Sequence, residues 1–205
     1  MNEDDLKEME QKAYRESMKD GFTEILLGIL LLGVGAFYAI KVSIVFIVLF
    51  ALCAPRLLER LKRKYTYPRI GFVKLHEDPP KKTALGIFSY MLLVIVVMIV
   101  ALFILFSDIS TDLWYRWTPT FIGAMLTGAL TYLVGKSGDL RYYGIALFGL
   151  VTGIALSLYR FDSMWTGIIL YLLFMGTCFI GVGIGRFVWF LRTYPLQEGD
   201  SNVTG

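Results

Sequence analysis

Residues with the right types for chemistry are few in this chain, and their spacing fails each familiar pattern. His76 is the only histidine, followed directly by Glu77 and Asp78. Such a trio offers metal-ligand or proton-relay atoms, but a closed metal site needs convergent ligands from several directions. One short cluster does not provide them, so His76 reads as part of a solvated loop. Cys53 and Cys178 lie in separate apolar blocks with no CxxC spacing, which removes a zinc ribbon or a disulfide framework and leaves two small lipid- or core-facing residues. There is no His-Glu-x-x-His, no Gly-x-Ser-x-Gly with a partner histidine and no intramembrane pair of aspartates. The hydrolytic enzyme classes therefore lack their minimum parts.

Two glycine patterns look like phosphate loops and fail on inspection. Gly135-Lys136-Ser137 has the ending of one, but Leu130 stands where that pattern requires glycine. Gly181-Val182-Gly183-Ile184-Gly185 lies inside an apolar block with no strand before it. The pairs Gly149/Gly153 and Gly181/Gly185 instead have the four-residue spacing that lets helix backbones approach closely, and they are read as helix-packing faces. Glu24 sits about one turn into the first apolar block, shallow enough to reach the headgroups. Proton coupling would require it to face an internal cavity. No catalytic, cofactor or metal set emerges, and the expectation is a non-enzymatic protein.

The strongest local signal is basic. Arg56, Arg60, Lys62, Arg63, Lys64, Arg69, Lys74, Lys81 and Lys82 cluster around one polar stretch. Cations at a negatively charged inner leaflet contribute about 1 kcal/mol each, so Arg60, Lys62, Arg63, Lys64 and Arg69 are expected to contact anionic lipid headgroups or a membrane-protein partner. Nucleic acid is a poor fit, because the patch lies against the membrane. The same loop contains Tyr65-Thr66-Tyr67-Pro68-Arg69-Ile70-Gly71-Phe72-Val73-Lys74-Leu75, whose β-branched and aromatic content suggests a short extended ribbon, limited to an edge or irregular strand by Pro68 and Gly71.

The elements that carry these residues follow from hydropathy. Of 205 residues, 56% are apolar and 18% charged, with a mean hydropathy of +0.61, too apolar for a water-soluble domain of this size. The apolar residues gather into blocks long enough to cross roughly 30 Å of hydrocarbon. These predict an all-α, polytopic helical bundle of about six spans at residues 22–38, 42–58, 84–106, 118–135, 141–159 and 164–189. Lys41 is the only polar break between the first two. Pro55 and Arg56 mark the expected interfacial end of the second, and Trp114, Tyr115 and Trp117 suit headgroup depth. Residues 1–21 are expected as an amphipathic helix stopped by Gly21, residues 59–82 as the basic loop, and residues 191–205 as a polar tail. No cleavable signal peptide is visible, and the first span is expected to direct its own insertion.

Lys and Arg are retained on the cytoplasmic side during insertion. With both termini inside, seventeen of the twenty lie inside, leaving only Lys41, Arg116 and Arg160 outside. The expectation is a multi-pass protein of a bacterial or archaeal cytoplasmic membrane, N-in and C-in, acting as an accessory, regulatory or assembly component. The runner-up is a small transporter or channel for an uncharged or apolar solute, lined by Thr127, Thr131, Thr152, Ser157 and Thr177. A lipid-acting enzyme using His76 ranks below both.

Overall fold

The structure is a computed structural model that describes residues 11–12, 14–41, 44–71, 80–105, 111–159, 161, 163 and 165–195. Among them every regular element is helical and there is no strand. Seven α-helices follow in order: α1 (Phe22–Ile40), α2 (Ile44–Leu61), α3 (Tyr67–Ile70), α4 (Pro80–Leu105), α5 (Thr111–Ser137), α6 (Arg141–Leu158) and α7 (Thr166–Thr193). A π-helical turn, Lys62–Thr66, joins α2 to α3. The chain divides into two units: unit 1 comprises Met1–Leu75 with Met175–Gly205, and unit 2 comprises His76–Phe174.

Among the described residues three helices are long and apolar enough to cross a membrane: α1, α6 and α7. Helix α2, which holds most of the expected second span, is not among them, because it runs past residue 58 and carries Arg56, Glu59 and Arg60 within its 18 residues. Helix α2 also corrects the expected helix end at Pro55. Pro55 lies inside the helix, giving up only the N–H that would reach the carbonyl of residue 51, and the chain stays helical through Leu61.

In unit 1, residues 14–17 are helical and turn at 18–20. Gly21 then takes φ 73° ahead of α1, a left-handed conformation that glycine adopts without a Cβ penalty. Residues 1–10 of the expected amphipathic helix lie outside the described residues. Helix α1 ends at Lys41, also left-handed at φ 56°, whose N–H bonds to the Phe37 carbonyl at 3.1 Å. Helices α1 and α7 run antiparallel through two glycine contacts seven residues apart on each. A Cβ on Gly28 would come within 2.7 Å of the Gly176 carbonyl oxygen, and one on Gly183 within 2.8 Å of the Gly21 carbonyl oxygen. Two turns separate these contacts, so the backbones stay close along the shared length. Phe22, Tyr65 and Phe187 pack beside them, with ring centroids 4.9–6.1 Å apart.

Unit 2 is organised on α5 and α6. The turn between them uses Gly138 at φ 63°, and the Asp139 carboxylate accepts the Arg141 N–H at 3.1 Å, tying down the start of α6. The two helices cross antiparallel in steps of about one turn. Gly153 lies against the Pro119 carbonyl and Gly123 against the Gly149 carbonyl, and Thr127 Oγ1 reaches the Ala146 carbonyl at 3.4 Å. Helix α4 packs on this pair by placing the Tyr90 ring over Gly128 and donating its hydroxyl to the Ala124 carbonyl at 2.8 Å. Tyr171, at the start of α7, is fully buried and donates to the Gly149 carbonyl at 3.2 Å.

Candidate functional site: a basic elbow on a buried ion cluster

The segment expected as an extended ribbon is helical over residues 65–70. One residue more than an α-turn is accommodated in the π-turn Lys62–Thr66, and this sets which side chains face inward. Lys62 and Thr66 are buried, whereas Arg63 and Lys64 are exposed. Pro68 fits the first turn of α3, where no N–H is required of it, and Gly71 ends that helix at φ 83°. Helical backbone wins over β propensity here because inward Lys62, Tyr65 and Thr66 all find partners in unit 1. Residues 72–79, including His76, lie outside the described residues.

Beneath this elbow, the turn before α1 and the last turns of α7 bring four ionisable side chains together. Asp20 is fully buried, and its Oδ2 accepts the Thr66 hydroxyl at 2.8 Å while Oδ1 accepts the Phe22 N–H at 3.1 Å. Lys62 Nζ donates to the Ser17 carbonyl at 2.7 Å and stands 3.9 Å from Asp20 Oδ2. Glu24 pairs with Arg186, and Arg186 also donates to the Met18 carbonyl at 2.7 Å. Two carboxylates therefore balance two cations. Burial raises the Asp20 carboxyl above its ordinary value, opposed by Lys62 and the Thr66 hydroxyl. Burial lowers the Lys62 ammonium, opposed by Asp20 and Glu24. Desolvation is the larger influence on both, and close partners keep such a cluster tolerable in a low-dielectric setting.

The five cations grouped by sequence do not form one outward face. Arg60, Arg63 and Lys64 are exposed, and Arg63 makes a surface pair with Glu59 at 2.8 Å. Lys62 is 8% exposed and is committed to the interior. Arg69 donates to the Tyr194 carbonyl, tying α3 to the end of α7. Tyr194 stacks on Phe190 with centroids 5.1 Å apart and accepts a hydrogen bond from Lys19 Nζ at 3.3 Å. Arg69 therefore closes the elbow.

The glycine pairs also separate. Gly149 and Gly153 are buried at the α5–α6 crossing. Gly181 and Gly185 are exposed, with open space where a Cβ would stand. The close approach in α7 falls on Gly176 and Gly183 instead, because the partner backbone lies on that face. Of the residues grouped for a solute path, Thr127 and Thr152 donate to the Gly123 and Phe148 carbonyls one turn back. Ser157 is buried and accepts from the Thr120 hydroxyl at 2.8 Å. Ser157, through Thr120, and Thr127, through the Ala146 carbonyl, thus join α5 to α6, whereas the bond of Thr152 stays within α6.

Glu24 is corrected too: it is 1% exposed and ion-paired rather than reaching toward headgroups. The signal for this was present as an acid in one apolar block and an arginine, Arg186, in another, since opposite charges inside apolar helices pair. Asp20 carried no comparable signal. Among the described residues, no group of three or more His, Cys, Asp or Glu is placed to hold a metal, and Cys53 and Cys178 are free. Comparison with family models, curated proteins and solved structures yields no match to this chain.

Proposed function

We propose that this chain is a six-span membrane protein with both termini in the cytoplasm, acting as a non-enzymatic accessory or assembly component through the basic elbow between α2 and α3. The observation that carries the reading is the division of labour within that elbow. Arg60, Arg63 and Lys64 point outward, while Lys62, Tyr65 and Thr66 fix the same turn from inside. Preorganised cations bind an anionic surface with less ordering cost than cations on a floppy loop. The six spans rest on the remaining apolar blocks: α4 contains the apolar stretch Phe88–Phe103, and α2 exposes Ile44, Phe46, Leu49 and Leu52, a face suited to hydrocarbon and costly in water. The orientation rests on the uneven placement of Lys and Arg.

Purification of the full chain in mild detergent, with mass spectrometry of everything retained, tests the contact surface. A triple variant, Arg60→Gln, Arg63→Gln and Lys64→Gln, is expected to lose a specific protein or anionic lipid that the native chain keeps. Identical retention by both would remove the elbow as a contact surface. Orientation is checked separately in intact cells with a membrane-impermeant maleimide, using single cysteines at Lys64 and Ser163 in a background without Cys53 and Cys178. Labelling at position 163 and protection at 64 is expected. The reverse pattern would invert the topology.

A further inference from the structure

Unit 2 contains a cleft of about 270 Å³ between the start of α5 and the loop entering α7, below the volume of most drug-sized ligand sites and on the scale of a small polar headgroup. Its charged wall comes from Asp112 and Arg116, four residues apart and so on the same face of α5. That spacing ordinarily favours an ion pair, yet the two do not pair. Arg116 gives its Nε to the Ser157 carbonyl at 2.9 Å and its NH2 to the Leu158 carbonyl at 3.1 Å. These are orphan carbonyls at the C-terminal end of α6, where a cation is favourable. The guanidinium is thus held in place and Asp112 is left with no hydrogen bond or ion pair to any described residue. The remaining lining includes Tyr115, Tyr159 and Phe161. Tyr159 and Phe161 stack with centroids 4.8 Å apart, and Tyr115 stacks on Trp165 at the same distance.

We propose that this cleft binds a zwitterionic phospho-ammonium group, with the ammonium between Asp112 and the aromatic faces of Tyr115 and Tyr159, and the phosphate at Arg116. An exposed carboxylate beside a guanidinium held on carbonyls complements a ligand whose own charges are linked but separated. Aromatic faces add the quadrupole attraction that alkylammonium groups favour. A phospholipid headgroup and a water-soluble phosphodiester share this chemistry. The site depends on the membrane reading only for the supply of lipid.

Native mass spectrometry of the purified full chain, titrated with phosphatidylcholine, phosphatidylethanolamine and phosphatidylglycerol, tests this. Zwitterionic lipids are expected to bind more tightly than phosphatidylglycerol, with Asp112→Asn reducing their affinity about tenfold, as loss of one charge-assisted contact would. Asp112→Glu should retain most of the affinity, and Tyr159→Leu should weaken it without affecting the helical circular dichroism signal. Competition by glycerophosphocholine would identify the headgroup alone as sufficient, and failure to compete beside intact lipid binding would assign the site to lipid. Equal binding of phosphatidylglycerol, or unchanged affinity in a folded Asp112→Asn protein, would overturn the proposal. The maleimide result is independent, so failure here leaves the topology standing.

Discussion

In unit 1 the turn before α1, the elbow after α2 and the end of α7 are tied together by Asp20, Glu24, Lys62 and Arg186. In unit 2 the α5–α6 crossing is held by small residues, by the hydroxyls of Thr120 and Thr127 reaching the Ser157 hydroxyl and the Ala146 carbonyl, and by one arginine at a helix end. Charge is used in both, with opposite completeness. Every charge in the unit 1 cluster has an opposite charge close by, so the cluster works as a clamp and has little left to offer a ligand. In unit 2 the arginine gives two of its N–H groups to carbonyls and keeps the others, and its carboxylate neighbour Asp112 has no partner among the described residues. A completed ion cluster marks architecture, and an uncompleted one marks a place where a ligand can bind.

The sharpest way to break this comparison is to remove one charge from the clamp. Arg186→Met leaves Glu24 buried without its cation, and loss of one partner from a buried pair costs about 3–5 kcal/mol. A lower melting temperature in detergent, followed through Trp189, the only tryptophan of unit 1, is the expected result. The double variant Glu24→Gln with Arg186→Met should recover much of the loss. If Arg186→Met melts like the native chain, the cluster is no clamp.

Glycine contacts give the next largest effect and separate α7 into two faces. Gly28→Ala forces a Cβ against the Gly176 carbonyl and is expected to destabilise by about 1–3 kcal/mol, the usual cost of overpacking. Gly181→Ala meets open space and should be neutral or slightly stabilising, by at most about 1 kcal/mol from helix propensity. Paired thermal melts read the difference directly, and equal effects would contradict the packing described for α1 and α7.

A smaller loss is expected in unit 2. Arg116→Gln removes the cation from the end of α6, and a charge-assisted cap of this kind contributes about 1–2 kcal/mol. Hydrogen exchange at the last turn of α6 should accelerate while exchange in unit 1 stays unchanged.

The mildest test is pH. Because burial raises Asp20, its folded form takes up a proton more readily than its unfolded form. The stability from that protonation is fully present below the ordinary value of 3.8 and is lost as pH rises through the folded value. Lys62, lowered by burial, contributes stability that is present above 10.5 and lost as pH falls through its folded value. The melting temperature reported by Trp189 should therefore rise slightly toward both ends of the range. Asp20→Asn should flatten the acid arm and Lys62→Met the alkaline arm.

Much of the helical skeleton was legible because hydrophobic runs and helix breakers are local. The apolar blocks fell where α1, α6 and α7 run, and Gly21 takes the left-handed backbone that its freedom suggests, just before α1. Pro55 misled because a proline near the end of an apolar run looks like a terminus, while a single missing N–H does not stop a helix whose neighbouring turns are intact. The expected ribbon misled over residues 65–70 for a related reason. β propensity is a weak local preference, and inward partners for Lys62, Tyr65 and Thr66 outweigh it.

Of the candidate site, the sequence alone determined that cations concentrate around residues 56–82 and that glycines recur in the apolar blocks, since both depend on composition and spacing. Only the tertiary structure decided that Lys62 turns inward while Arg63 and Lys64 turn out, that Gly176 and Gly183 rather than Gly181 and Gly185 meet a partner helix, and that Asp112 stands beside Arg116 without a partner among the described residues. Each of these depends on which face of a helix meets a neighbour distant in sequence, and a helix rotates about 100° per residue. One added residue in the turn at Lys62–Thr66 is enough to exchange an exposed cation for a buried one.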